Sequence, residues 1–376
     1  MTYPTTATTL LDAVEANLRG VRARAGDRLV LAAVKANAYG HGAVAVASMI
    51  ERTGAADWLG VATVGEGLEL RGAGVRLPIL KLSPVREDDD VEAALAAGLT
   101  LSVVDDASAD QVAAAMRRLG LSDVAVHLKV DTGMRRVGVE PEGAPALAGR
   151  IAASGLRLQG LFSHLPISDN PAGAAFTREQ IERFAGTAAA VEDAVGPVEL
   201  KHLANSGAVL GHPAAWFDLV RPGIMIYGSL PDPEAEPTVP LRPALQWRTA
   251  VTFVKRVEAG ETVSYGRTWT APRDTWIATI PVGYGDGYSR LLSNRGRVLI
   301  GGRSRPIAGR VCMDQTMVDL GPETSVRVGD EVVLVGRSGE EEITATELAD
   351  LMGTIPYEVT CLITPRVTRD YLPALA

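Results

Sequence analysis

The chain has 376 residues, 47% hydrophobic and 22% charged, with Lys+Arg at 37 against Asp+Glu at 45. This length holds a sizeable core and leaves room for two domains, while the net charge of −8 argues against nucleic acid or an anionic membrane surface as partner. No apolar run approaches the ~18–20 residues of a bilayer crossing, no basic-then-hydrophobic leader opens the chain, and two cysteines, Cys312 and Cys361, suit a cytoplasmic protein without a disulfide framework.

Up to about residue 230, short β-rich runs alternate with Ala-rich amphipathic stretches. The runs are 29–34, 58–63, 77–82, 99–104, 124–130, 156–163, 198–203, and 217–227 broken by Arg221-Pro222-Gly223. Helix-like segments such as 43–52, 110–119 and 177–194 lie between them. Eight strands with helical crossovers predict a (β/α)8 TIM barrel, and near-continuous apolar strands suit a parallel sheet buried on both faces. A polar, proline-rich stretch at 231–237 reads as a linker. Beyond it, 250–257, 276–282, 297–300, 305–311, 316–320 and 331–335 read as short strands separated by Gly-containing turns. The expected domains are therefore a barrel over 1–237 and a mostly β domain over 238–376, with strand mixing at the N-terminus left open.

In such barrels, functional groups stand on the loops at the C-terminal strand ends. Chemistry-bearing residues fall there in succession: Lys35 after the first strand, Lys129, Asp131 and Arg136 after the fifth, His164 after the sixth, Asn205-Ser206 after the seventh, and Arg221 with Gly223-Ile224 at the eighth. A lysine at the end of a buried strand can present its amine to a pocket, the usual anchor for pyridoxal 5'-phosphate (PLP). The loops after the seventh and eighth strands are where such barrels often hold phosphate. Ser206 adds a hydroxyl, and Gly223 permits close approach of the backbone, although Asn-Ser-Gly and Pro-Gly are also ordinary turns. An arginine such as Arg221 can only donate to an unprotonated pyridine nitrogen, which weakens the electron sink and suits an enzyme that moves one proton and returns it. The same arginine could equally serve a phosphate or a carboxylate.

The string Val34-Lys35-Ala36-Asn37-Ala38-Tyr39-Gly40-His41-Gly42 closely resembles the cofactor-lysine motif of the alanine racemase family. The resemblance extends to Lys129-Val130-Asp131-Thr132-Gly133-Met134-Arg135-Arg136, Val263-Ser264-Tyr265-Gly266-Arg267, Gly283-Tyr284-Gly285-Asp286, Arg310-Val311-Cys312-Met313-Asp314 and Ile355-Pro356-Tyr357-Glu358. It implies a PLP-dependent racemase of alanine that supplies D-alanine for peptidoglycan, with Lys35 and Tyr265 as bases on opposite faces of the substrate. It further implies that Arg136 contacts the cofactor's phenolic oxygen near the substrate carboxylate, and that Lys129 is a candidate for carbamylation by CO₂. The resemblance also implies that His164 and Arg221 belong to a hydrogen-bond relay of Tyr265. By the same resemblance, Tyr357 and Tyr39 would cap the phosphate, the amide of Met313 would hold the substrate carboxylate, and Tyr284 would narrow the entry. Tyr265 and Met313 would act on the other subunit's site, so a homodimer with shared active sites is implied. Arg135 departs from the family, standing where a glycine often precedes the key arginine.

Three further readings follow from the same residues: racemisation of related small amino acids such as serine, a non-catalytic PLP carrier, and a two-domain decarboxylase. The carrier lacks a β domain, and the decarboxylase needs acidic and Cys substrate groups that are not evident here. A metal hydrolase is disfavoured, since no His-x-His follows the first strand and the five histidines (41, 127, 164, 202 and 212) show no ligand spacing.

Overall fold

The computed structural model describes residues 4–373. Residues 1–3 and 374–376, at the outer ends of the two expected domains, lie outside the described residues. The chain divides into two units.

The first unit comprises Val14–Ala38 and Ala43–Arg242. Its strands are Leu29–Ala33, Trp58–Val61, Ile79–Lys81, Thr100–Val103, Ala125–Lys129, Arg157–Phe162, Leu200–His202 and Leu219–Val220. Sequential neighbours from the first strand to the seventh pair in parallel, and the eighth pairs in parallel with the first. The seam between seventh and eighth strands is bridged by Asp218 N donating to Lys201 O (3.0 Å) and Arg221 N to Ala204 O (2.9 Å). This is the expected (β/α)8 barrel. The strands are shorter than the apolar runs because the run ends peel away into the loops that carry the polar residues.

Trp58–Val61 and Ile79–Lys81 are buried at every position, as a sheet covered on both faces requires. Leu31, Trp58, Leu80, Leu200 and Leu219 form one interior cluster, each such side chain contributing about 1.5–3 kcal/mol by burial. The helix expected from 110 starts earlier, as Asp106–Arg118, because Asp105 Oδ1 accepts Ser108 N (2.8 Å) and caps it. The expected linker is not a free tether. Ala235 and Val239 are buried, Asn170 Nδ2 donates to Glu234 Oε2 (2.9 Å), and a Cβ on Gly20 would meet Val239 Cγ1 at 2.8 Å. The barrel unit consequently runs on to Arg242 instead of ending near 237.

The second unit contains Pro243 onward, together with Tyr39–Gly42 and the described residues up to Ala13. The N-terminal residues assigned to the barrel from sequence thus cluster elsewhere. Thr6–Leu10 pairs antiparallel with Leu245–Ala250 and parallel with Thr368–Leu372. Its burial alternates, as a strand with one covered face does. Thr5 Oγ1 secures it, lying 2.9 Å from Thr249 Oγ1 and donating to Pro281 O at 3.0 Å. The sheet continues through Glu331–Ser338, Arg297–Ile300 and Arg303–Pro306. A three-stranded sheet of Phe253–Val257, Thr275–Ile280 and Thr316–Gly321 accompanies it. The expected strand 250–257 is therefore two strands, interrupted at Val251-Thr252, and 305–311 is extended only at its start. Trp247 and Tyr288 meet edge to face at 5.7 Å in this unit's core.

Candidate active site

Lys35 opens a turn directly after the first barrel strand. The four residues that follow, Ala36, Asn37, Ala38 and Tyr39, all have φ between 51° and 54°. A left-handed turn of non-glycine residues costs about 1–2 kcal/mol per residue, so it persists only where its surroundings dictate it. Three contacts do so: Ala36 N donates to Glu66 Oε1 (2.7 Å), Ala38 N to Val34 O (2.7 Å), and Ala43 N to Asn37 Oδ1 (2.8 Å).

At the end of the fifth strand, the buried Asp131 carboxylate organises its own loop. Oδ1 accepts the N–H groups of Gly133 and Arg135 at 2.9 and 3.0 Å, and Oδ2 accepts that of Arg136 at 3.1 Å. The two adjacent arginines diverge. Arg135 pairs with Glu140 at 2.5 Å on the surface, while the charge of Arg136 acts on Lys129 and His164. Lys129 is buried, donates to Leu82 O (3.3 Å), and lies 5.2 Å from the Phe162 ring centroid. Burial, reinforced by the cations Arg221, Arg136 and Lys35, pushes its amine down to about 7.

Arg221 is buried inside the barrel and lies 5.5 Å from the Phe162 ring centroid. Nη2 donates to Ser163 O (2.6 Å) and Leu203 O (3.1 Å), and Nη1 to His202 Nδ1 (3.0 Å). Because a guanidinium only donates, His202 carries its proton on Nε2, 2.9 Å from His127 Nδ1, which makes His127 the acceptor. His202 stacks flat on Phe162 at 4.9 Å. Room for His127 comes from Gly160 on the adjacent strand, where a Cβ would lie 2.5 Å from the ring. Burial, followed by nearby cations, holds His164 well below the usual imidazole range, again with Arg221 foremost among them. Arg221 itself is lowered by burial to about 9.

In the loops after the seventh and eighth strands, Gly223 N donates to Ser206 Oγ (2.9 Å) and joins the two. Asn205 spends its side chain on the fold: Oδ1 accepts from Ala208 N and Ser168 Oγ, and Nδ2 donates to Leu165 O. Ile224 opens a short 3-10 turn, and Ala33 N donates to Pro222 O, tying this loop to the first strand.

The remaining expected residues belong to the second unit. Tyr39 and Tyr357 approach with ring centroids 5.8 Å apart. Burial raises the Tyr39 phenol, which keeps it protonated and able to donate. Tyr265 is 72% exposed, Met313 52% and Tyr284 43%. Their loops are linked: Ser264 Oγ donates to Arg310 O (2.7 Å), and Tyr284 N and Gly285 N donate to Cys312 O (3.0 Å) and Met313 O (2.9 Å). A Cβ on Gly283 would lie 2.2 Å from Cys312 O, so this close approach requires glycine.

Three residues around the expected ring escaped the sequence reading. His202 pairs with Arg221 and His127 with His202, contacts that leave no ligand spacing in the sequence, and Glu66 shows there only as the last residue of a Thr-x-x-Glu helix start. Among the described residues, no group of three or more His, Cys, Asp or Glu is arranged to hold a metal ion.

Two family models match the chain: the alanine racemase N-terminal domain over residues 10–231 and the alanine racemase C-terminal domain over residues 244–371. The alanine racemase of Cutibacterium acnes is 53% identical over 363 residues, covering 96% of each chain. That of Symbiobacterium thermophilum is 47% identical, over 98% of this chain and 97% of its own. The crystal structure of alanine racemase from D-cycloserine-producing Streptomyces lavendulae superposes with a TM-score of 0.92 at 39% identity, covering 100% of this chain and 98% of that one. With its barrel, its β unit and both domain models matched in order, the chain belongs to the alanine racemase family.

Proposed function

We propose that this chain interconverts L- and D-alanine with PLP held on Lys35, using Lys35 and Tyr265 as the two bases, and so supplies D-alanine for peptidoglycan. The observation that carries the reading is the buried Arg221 guanidinium, fixed by His202, Ser163 and Leu203 among Lys35, Lys129, Arg136 and His164. These residues suit the cofactor. Lys35 offers an amine, Ser206 and the Gly223-Ile224 loop offer hydroxyl and backbone groups for its phosphate with Asn205 shaping that loop, and Arg221 offers a donor for its pyridine nitrogen. PLP, when bound, supplies an electron sink that acidifies the substrate's α C–H bond.

Arg221 cannot accept a proton at physiological pH, so it holds the ring nitrogen unprotonated and keeps the sink weak. A weak sink suits return of the proton to the same carbon. Lys35 moves a proton on the face it occupies, and the opposite face needs a second base. Tyr265 fills that role with His164, which is neutral at working pH, as its relay to Arg221. A phenol of ordinary pKa ~10 needs such neighbours to work as a base. Tyr265 is largely exposed in the single chain, which supports a homodimer in which it and Met313 complete the partner subunit's site. Arg136 and the Met313 amide orient the substrate carboxylate, Tyr284 limits substrate size, and Tyr39 with Tyr357 closes over the phosphate.

The near-neutral Lys129 amine supports its carbamylation. The unprotonated nitrogen adds to CO₂ and releases a proton, leaving an anion that steadies Arg136. The absence of any helix among the described residues able to cross a membrane and the two free cysteines support a cytoplasmic location.

The test is incubation with PLP and L-alanine in D₂O, followed by proton NMR and chiral chromatography. Loss of the α-proton signal together with appearance of D-alanine supports the reading. Bound cofactor with neither change rejects it.

A further inference from the structure

Glu66 has no place in the mechanism above, yet its carboxylate ties two barrel loops together. Oε1 accepts Ala36 N at 2.7 Å, while Oε2 accepts Ala62 N at 2.7 Å and Thr63 N at 3.1 Å. Part of this is helix capping. Thr63 Oγ1 accepts Glu66 N (3.2 Å), and the reciprocal bond completes a capping box on Val64–Gly72. A capping box needs only the Thr63 contacts. The bonds to Ala36 and Ala62 lie outside it.

Ala36 is the residue after Lys35 and the first of the four left-handed residues. Of the three contacts named above, the one from Glu66 brings a charged acceptor, and charge-assisted bonds are the strong ones. The carboxylate also has a counter-charge nearby. The buried Lys81 at the end of the third strand feels Glu66, and its Nζ donates to Ser83 Oγ (3.1 Å) and Pro84 O (2.8 Å). Glu66 therefore stands where the ends of the first three strands meet.

We propose that Glu66 is a positioning residue for Lys35: by clamping the Ala36 amide against the Ala62-Thr63 loop it holds the left-handed turn, and with it the direction in which the lysine side chain leaves the strand. This rests on Lys35 being the amine that holds PLP and moves a proton. Losing the clamp lets the turn relax toward ordinary backbone geometry. The amine then keeps its chemistry but loses its aim, an error that acts on turnover more than on substrate binding.

The experiment compares full-length wild type, Glu66→Ala, Glu66→Gln and Thr63→Ala. Thr63→Ala removes the side-chain cap and leaves the carboxylate bridge. Three quantities are read: the rate at which PLP-free protein takes up PLP at Lys35, trapped with borohydride and located by peptide mass spectrometry; kcat and KM for alanine; and the thermal midpoint. Glu66→Ala is expected to slow uptake and lower kcat by about tenfold or more, with KM changed less than about threefold. Glu66→Gln falls between it and wild type, since one amide oxygen serves only one loop. Thr63→Ala keeps uptake and kcat within about twofold while its thermal midpoint falls through loss of the cap. Uptake and kcat of Glu66→Ala within about twofold of wild type overturn the proposal, as does a Thr63→Ala loss matching that of Glu66→Ala. Wild type that takes up PLP at Lys35 without racemising alanine rejects the functional reading instead, and the uptake rates still decide the role of Glu66.

Discussion

Arg221 and His202 share a hydrogen bond of 3.0 Å, with the guanidinium donating to Nδ1. That bond assigns the proton of His202 to Nε2 and passes the same assignment to His127. Both imidazoles are held neutral, chiefly by burial, with His127 lowered to about 3 and His202 well below the usual range.

This pair makes the fold acid-sensitive. Below about pH 6.5 the unfolded chain binds protons that the native state refuses, so stability falls as pH drops from there toward 3. Each imidazole costs up to about 1.4 kcal/mol per pH unit. Denaturant titrations at pH 7, 6 and 5 should show the loss, and His127→Gln should flatten the slope. An unchanged slope in that variant contradicts the neutral-pair assignment.

Arg135 and Arg136 should separate cleanly in kinetics. Arg135→Ala removes an exposed ion pair with Glu140, typically worth only about 0–1 kcal/mol, and should leave kcat/KM near wild type. Arg136→Ala should lower kcat/KM for alanine by about a hundredfold, a loss near 2.7 kcal/mol. The reverse ranking would move the substrate contact to Arg135.

Lys129 yields a prediction of the same sign in a higher pH window. Its native amine is lowered to about 7 from an ordinary 10.5, so the unfolded chain binds the extra proton between those values. The destabilisation it causes is fully present below pH 7 and is relieved as pH rises toward 10.5. Without CO₂, stability should therefore gain from this group over that range, and Lys129→Met should remove the gain. With ¹³C-bicarbonate, a carbamate carbon resonance should appear in wild type and be missing from Lys129→Met.

Tyr265→Phe removes one hydroxyl and keeps the ring of a side chain that is 72% exposed within its own chain, so neither the fold of the chain nor the apolar contacts of the ring are lost and the thermal midpoint should move little. Racemisation should fall by about 10²–10⁴-fold, the range for loss of an acid–base group. Full activity in both directions would rule out Tyr265 as the second base.

The barrel and the ring of residues at its strand ends are legible in the amino-acid order alone. Apolar runs, helical periodicity and turn chemistry are local properties, and a lysine or arginine at the end of such a run is directed to the barrel mouth by the strand before it. What holds those residues in place comes from contacts that exist only once the chain is folded. Thr6–Leu10 reads locally as part of the N-terminal domain, yet it finds its partners at Leu245–Ala250 and Thr368–Leu372 in the second unit. Ala36 meets Glu66 30 positions away, and His127 meets His202 75 positions away. Each of these contacts joins segments with nothing in common locally. A lone glutamate or histidine has no periodicity, so its partner is chosen only when barrel closure brings neighbouring strand ends within hydrogen-bonding distance.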